Sequence, residues 1–77
     1  MARINVTVKL FAYFRENRFK ISEQEIAPGT TVGDIVDSLD IDREEVGVLM
    51  INSRHTTFET PLEEANVLAI FPVVGGG

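Results

Sequence analysis

The chain has 77 residues, of which 44% are hydrophobic and 25% charged, values typical of one small globular domain. Twelve acidic against seven basic residues give a net charge of −5, which disfavours nucleic acids and anionic membranes and favours a partner with a basic rim. With no cysteine there is no disulfide or thiolate metal site, and no apolar stretch reaches the roughly 18 residues of a membrane span, so we expect a cytoplasmic protein.

The first part of the chain has the pattern of two strands. Apolar and polar residues alternate from Ile4 to Leu10, which predicts a strand with one buried face. A second strand is predicted from Phe19 to Ile26. Its alternation begins with Phe19 and Ile21, but Ile26 is out of phase, which predicts an irregularity such as a bulge.

A helix is predicted to begin after the turn signal Pro28-Gly29. Thr31 and Asp34 have the spacing of a capping box, in which each side chain accepts a hydrogen bond from the other residue's backbone N–H. The apolar residues that follow recur at helical spacing and form one stripe: Val32, Ile35, Val36 and Leu39. We expect this stripe to pack on one face of a sheet.

The middle of the chain is predicted to contain a loop, a strand and a hairpin. The acidic segment Asp40–Glu45 is interpreted as a solvated loop. Val46–Ile51 is apolar at both parities, which indicates a strand covered on both faces. Asn52-Ser53-Arg54 is a turn signal, and Thr56–Phe58 is predicted to be a short return strand.

The last elements are predicted to be one helical turn and one strand. Thr60 followed by Pro61 and Glu63 has the pattern of a cap, a first-turn proline and a capping-box partner, which predicts a helical turn through Glu64. The final strand is predicted over 67–71 and ends at Pro72.

The order of these elements, with one packing helix, predicts an α+β domain of the β-grasp type, with a mixed sheet of four to five strands. A ferredoxin-like fold would need a second amphipathic helix, which 58–66 cannot supply. We expect a domain at residues 1–74 and a flexible glycine tail at residues 75–77. Because one helix covers only one face of the sheet, apolar residues on the other face should stay exposed for a partner unless loops cover them.

The sequence lacks the side-chain chemistry of a self-contained enzyme. The single histidine, His55, has no second imidazole or thiolate beside it for a metal site, and we expect it to be an exposed turn residue. No serine lies in a nucleophile elbow, and the acidic clusters lack the spacing of a calcium loop. We therefore predict a non-catalytic protein with no metal and no bound cofactor of its own.

The tail Gly75-Gly76-Gly77 requires a functional explanation, because glycines lose much conformational entropy when ordered and contribute no packing. A frayed end or an expression linker is the alternative. The tail follows a strand that ends in Phe71-Pro72, and a chain without side chains can carry a carboxylate into a narrow channel of another protein. That carboxylate needs activation, for example by adenylation with ATP in the partner's active site, and can then accept sulfide or an amine.

Residues across the chain resemble the small subunit of molybdopterin synthase and its sulfur-carrier relatives, which include the thiamine-pathway carrier. Val8–Glu16, with the sequence VKLFAYFRE, resembles the first strand of that family and its LFA..RE continuation. Ile51-Asn52 matches a hydrophobic-Asn turn, and 61–72 aligns without a gap up to the glycine pair. The sequence departs from the family pattern in two places. Glu64-Ala65-Asn66 replaces an acidic-Gly-Asp turn, and Val73 replaces the second proline of a Pro-Pro pair.

The resemblance implies a ubiquitin-like carrier in which Gly77 is adenylated and converted to a thiocarboxylate, with Gly75 and Gly76 as the inserted tail. It implies three partners: an E1-like adenylating enzyme that uses ATP, a desulfurase or rhodanese-type sulfur donor, and a large catalytic subunit that builds molybdopterin or its tungsten equivalent. The exposed sheet face and the end of the last strand would bind these partners, through Phe71, Pro72, Val73 and Val74.

Three other functions remain open from the sequence alone. The first is a carrier for thiamine or another sulfur metabolite. The second is a ubiquitin-like modifier that is conjugated to proteins through Gly77. The third is a binding module whose tail is inert.

Overall fold

The computed structural model describes residues 2–73. Within this range the chain forms one sheet of five strands, in the order β2-β1-β5-β3-β4, and only the central β1–β5 pair is parallel. One α-helix and two short 3₁₀ helices, Ala12–Arg15 and Arg43–Glu45, connect them. This topology confirms the predicted α+β fold of the β-grasp type. The strands and the helix are β1 (Ile4–Leu10), β2 (Ile21–Ile26), β3 (Val46–Ile51), β4 (Arg54–His55), β5 (Val67–Pro72) and α1 (Val32–Ser38).

The first two strands form a regular antiparallel pair. Their register runs without a shift from Ile4 opposite Ile26 to Lys9 opposite Ile21. The predicted irregularity in the second strand is therefore wrong. The change of phase has another cause: Ile26 lies in the core, whereas Ile21 is on the opposite face and is 54% exposed.

The helix forms as the sequence predicts. Thr31 Oγ1 accepts a hydrogen bond from the Asp34 backbone N–H at 3.1 Å, and Asp34 Oδ2 accepts one from the Thr31 N–H at 3.0 Å. This capping box satisfies two N–H groups that have no partner inside the helix. The apolar stripe faces the sheet and joins the core: Val32, Ile35 and Val36 are buried and Leu39 is half-buried.

The middle of the chain differs from the prediction in two ways. Ile41, inside the acidic segment interpreted as a solvated loop, is only 5% exposed and belongs to the core. In β3 only Leu49 is buried, so the prediction that both faces are covered is wrong. The physical reason is that residues 2–73 contain a single α-helix, and one helix covers only one face of the sheet.

The hairpin and the following segment also differ from the prediction. Asn52 and Ser53 both have positive φ, 52° and 69°, so the turn is tight and β4 begins at once, before the predicted Thr56–Phe58 strand. The helical turn predicted after Thr60 does not form. Backbone hydrogen bonds with the start of the helix hold this segment extended: the Leu62 N–H donates to the Thr30 carbonyl at 2.8 Å.

The face of the sheet away from α1 is the open face. It carries Lys9 of β1 together with apolar residues of the two neighbouring strands. All of these side chains are half-buried, so the expected exposure of this face is only partial. The apolar residues are Val48, Met50, Val67, Ala69 and Phe71. Among residues 2–73 no helix is long and apolar enough to cross a membrane.

Candidate functional site

The end of β5 is held firmly to β3. The pairing of these strands continues to Val46 opposite Pro72, and the Val73 N–H donates a hydrogen bond to the Glu45 carbonyl at 2.8 Å. The chain is therefore bonded to the domain as far as Val73. The four residues that follow in the sequence span at most about 14 Å when fully extended. Residue 77 therefore lies no further than this from Val73.

Gly47 permits the close approach of β3 to the end of β5. The register of the two strands shifts between Val46 and Val48, on either side of this glycine. A Cβ atom at Gly47 would lie 2.8 Å from the Pro72 carbonyl oxygen and 2.9 Å from the Val73 Cα. No side chain fits there, so the position of the strand end depends on a glycine at residue 47.

An aromatic pair borders the open face at the same end of β5. The rings of Phe11 and Phe71 stack with centroids 4.1 Å apart and 13° between their planes. The Arg15 guanidinium lies 5.3 Å from the Phe11 centroid and donates through Nε to the Leu10 carbonyl at 2.7 Å. This hydrogen bond holds the cation beside the aromatic pair.

A shallow depression lies in the centre of the open face. Its floor is Ala69, which the register places between Lys9 on one neighbouring strand and Met50 on the other. Its walls are Phe11 and Phe71 at one end, and Val67 with the polar residues Asn52 and Ser53 at the other. The depression exists because alanine is the smallest side chain in this row of the sheet.

The charged groups around the strand end differ in their environment. Desolvation raises the pKa of the Tyr13 hydroxyl, and the charge of Glu45 and a hydrogen bond to it raise this pKa further. At neutral pH the Tyr13 hydroxyl is therefore protonated and can donate to Glu45, whose carbonyl binds the Val73 N–H.

Arg43 binds both carboxylate oxygens of Asp37, at 3.0 and 3.1 Å, and this is the one ion pair within residues 2–73.

The predicted partner-binding residues have different surroundings in the structure. Phe71 is half-buried on the open face, Pro72 is buried, and Val73 is 50% exposed. Their role in binding stays a prediction. Val74 and the tail residues Gly75, Gly76 and Gly77 lie outside the described residues. His55 is exposed, as expected, in β4 rather than in the turn.

Among the residues that shape this site and received no role from the sequence are Phe11, Gly47 and Ala69. Two of them had a signal. Phe11 continues the parity of Lys9, the exposed parity of β1. A glycine within an apolar strand pattern, such as Gly47, often marks a bulge or a close backbone approach. Ala69 had none, because the depression depends on neighbours from other strands.

Comparisons with known proteins place this site in context. A model of the ThiS family matches residues 8–77. No curated protein matches the chain significantly. The chain is similar in structure to the putative molybdopterin converting factor subunit 1 from Pyrococcus furiosus, with 24% identity, a TM-score of 0.76, and coverage of 92% of this chain and 99% of that one.

Two further solved structures share the fold. Small archaeal modifier protein 1 from Methanosarcina acetivorans is 22% identical over 100% of both chains, with a TM-score of 0.74. The ubiquitin of Caldiarchaeum subterraneum is 13% identical over 99% of this chain and 100% of its own, with a TM-score of 0.64. At these identities the likeness establishes a ubiquitin-like fold.

Proposed function

The chain belongs to the ThiS family of ubiquitin-like sulfur carriers, and from this premise we propose that it carries sulfur as a thiocarboxylate on Gly77 for the synthesis of molybdopterin or its tungsten equivalent. One observation carries the proposal: the family match extends through residue 77 and so includes the glycines at residues 75–77. These glycines follow the end of β5, which is hydrogen-bonded to the domain through Val73. Only Val74 separates this bonded position from the three glycines.

The proposed chemistry takes place in the active sites of partner proteins. The Gly77 carboxylate attacks the α-phosphate of ATP bound to an E1-like adenylating enzyme, which releases pyrophosphate and leaves an acyl adenylate. The terminal sulfur of a persulfide on a desulfurase or rhodanese-type donor then attacks the acyl carbon, which displaces AMP and forms an acyl disulfide with the donor. A thiol reduces that disulfide, which releases the thiocarboxylate and leaves the donor cysteine in a disulfide with the thiol. The carrier contributes position and not catalysis. Gly75 and Gly76 have no side chains that would block a narrow channel, and Val73 is the last residue whose bond to the domain the structure describes.

The proposed acceptor is a pterin bound to a larger catalytic subunit. Two observations support this choice over other sulfur acceptors. The LFA..RE pattern, which resembles the molybdopterin synthase small subunit and which the thiamine-pathway carrier usually lacks, is present as Leu10-Phe11-Ala12 and Arg15-Glu16. A protein of the same fold over nearly its whole length bears the name molybdopterin converting factor subunit 1. In this proposal the open face and the end of β5, with Phe71 and Val73, bind the adenylating enzyme first and the larger subunit afterwards.

Intact-mass spectrometry tests the proposal. The chain is incubated with the adenylating enzyme of the same cell, ATP and a sulfur donor. The expected result is exchange of one oxygen for one sulfur at Gly77. A variant that lacks Gly76 and Gly77 is the control and should keep its mass. The proposal fails if the full chain also keeps its mass under conditions in which a known carrier is charged.

The acceptor is tested separately with the charged protein. Sulfur-labelled carrier is offered to a molybdopterin synthase large subunit with its pterin precursor, and in parallel to a thiazole-forming enzyme. We expect transfer of the label to the pterin. Transfer only to the thiazole would assign the chain to thiamine synthesis instead.

A second candidate function is protein modification through Gly77. The observation that favours it is the structural similarity to small archaeal modifier protein 1. Conjugation uses the same adenylated carboxyl group but transfers it to a lysine amine. Lysines of other proteins that carry residues 55–77 of this chain in an isopeptide bond, found by proteomics of its own cells, would support this function, because no Lys or Arg follows Arg54 and trypsin leaves this whole segment attached. A variant without Gly76 and Gly77 should leave no such segment.

A further inference from the structure

Lys9 is a cation on the open face that has no counter-ion among the residues that the structure describes. Its side chain is half-buried beside Ala69 and opposite Ile21. Within residues 2–73 no carboxylate lies within 4 Å of its ammonium group. The acidic residues of β2 share this face, but Glu23 is opposite Thr7 and Glu25 is opposite Asn5. The charge of Lys9 is therefore available to a group outside this part of the chain.

The depression over Ala69 lies directly beside this cation. It combines a small floor with half-buried apolar walls, and its polar lining residues Asn52 and Ser53 lie at the rim, where they are exposed; this arrangement accepts one apolar side chain. A partner that covers the depression also removes water from the Lys9 ammonium. An ammonium that loses its water is destabilised unless a carboxylate or another acceptor replaces that water.

From these neighbours we infer that the adenylating enzyme docks on the open face, where it presents an apolar side chain to the depression over Ala69 and a carboxylate to Lys9. This inference rests on the proposed function and specifies the chemistry of its partner. The chain as a whole carries a charge of −5, so a partner is attracted mainly through basic groups. A carboxylate that faces Lys9 would be an acidic group on a partner surface that is otherwise basic. Because it pairs with only one position on the chain, it would fix one orientation of the partner.

The kinetics of adenylation test the inference. Pyrophosphate release is measured against carrier concentration with the adenylating enzyme of the same cell and ATP, for wild type, Lys9→Glu, Lys9→Arg and Lys20→Glu. Lys20 is exposed and lies before β2, so Lys20→Glu makes the same change in net charge outside the depression. Thermal unfolding of each variant confirms that it folds.

We expect Lys9→Glu to raise KM about tenfold or more with little change in kcat, because the lost contact stabilises ground state and transition state equally. Lys9→Arg retains the charge and should stay within about threefold of wild type, and Lys20→Glu within about twofold. Equal KM values for Lys9→Glu and Lys20→Glu would overturn the inference while leaving the proposed function intact. A wild-type chain that is not adenylated at all would overturn both.

Two further measurements separate charge from shape. Ala69→Met fills the depression without changing charge, and it should raise KM while Lys9 remains in place. A water-soluble carbodiimide joins amines to carboxylates in direct contact, so it should link Lys9 to an Asp or Glu of the adenylating enzyme. Peptide mass spectrometry identifies the linked pair. Crosslinks through Lys20 and none through Lys9 would contradict the inference.

Discussion

The ring of Phe11 lies on the ring of Phe71, with the centroids 4.1 Å apart. Phe11 follows the first strand and Phe71 belongs to the last, and these two strands are the parallel pair at the centre of the sheet. The stack therefore joins the segment after β1 to the strand that leads to the glycine tail. It also forms one wall of the depression on the open face.

A double-mutant cycle measures this stack. Phe11→Ala, Phe71→Ala and the double variant are unfolded in urea, and the coupling free energy should be about 0.5–1.5 kcal/mol because stacked rings interact beyond their buried area. Phe58 packs under Arg43, with the guanidinium 4.9 Å from its centroid, and serves as the control partner. Phe58→Ala and Phe71→Ala should be additive within about 0.5 kcal/mol. Additivity of Phe11→Ala and Phe71→Ala would contradict the stack.

Gly47→Ala is expected to displace the end of β5, from which the chain continues to the glycine tail. The new Cβ would meet backbone atoms of Pro72 and Val73 at 2.8 to 3.0 Å, so β5 must move away from β3. We expect a loss of stability of about 1–3 kcal/mol from overpacking. We also expect adenylation to slow by about tenfold or more, because the carboxyl group no longer starts from a fixed position.

The matched control for Gly47→Ala is Gly29→Ala. Gly29 has φ of 93° and open space around it, so alanine there is strained by about 1–2 kcal/mol without touching β5. Its adenylation rate should match wild type. Equal slowing in both variants would mean that lost stability, and not the displaced strand end, causes the effect.

Ala65→Gly is expected to stabilise the fold. Ala65 has φ of 69°, which costs a residue with a Cβ about 1–2 kcal/mol. Contacts with β1 hold this turn: the Ala65 N–H donates to the Asn5 carbonyl at 2.7 Å, and Glu64 Oε1 accepts from the Asn5 N–H at 2.9 Å. Glycine removes the strain but gains entropy when unfolded, which leaves a net gain of about 0.5–1 kcal/mol.

Urea unfolding measures the effect of Ala65→Gly, with Ala27→Gly as the control. Ala27 is also exposed but is not among the residues with positive φ. Glycine there has only the entropic effect, so stability should fall by about 0.5–1 kcal/mol. A loss of stability in both variants would show that the turn at Ala65 is not strained.

The capping box makes the stability of the helix depend on pH. Hydrogen bonds from the backbone and side chain of Thr31 lower the pKa of Asp34 below its ordinary value of 3.8. A lowered pKa means that folding favours the charged form, so this stabilisation is present above about pH 4 and is lost as the pH falls through the lowered pKa. Asp34→Asn should be less stable than wild type at pH 7 and should approach it in acid.

Thermal unfolding of wild type and Asp34→Asn between pH 2 and pH 7 measures this convergence. Asp37→Asn is the control, because Asp37 is on the same exposed face of the helix but binds Arg43 instead of the helix N-terminus. A difference between wild type and Asp34→Asn that stays constant down to the lowest pH would contradict the role of the Asp34 charge in the cap.

The sequence predicted those parts of the structure that depend on near neighbours along the chain. The alternation from Ile4 to Leu10 and the capping box of Thr31 and Asp34 are local patterns, and both formed as predicted. The same capping pattern at Thr60 failed, because hydrogen bonds with the start of α1 hold that segment extended. Tertiary hydrogen bonds outweighed a weak local preference.

The sequence by itself determined the order of the main elements, the single packing helix, and the glycines at residues 75–77. Tertiary structure alone decided which parity of β3 stays uncovered and which residues meet around the end of β5. Lys9, Met50 and Ala69 are far apart in the chain and become neighbours only through strand register. Periodicity and capping depend on residues a few positions apart, whereas a depression on a sheet depends on side chains from three strands, and no local pattern encodes their pairing.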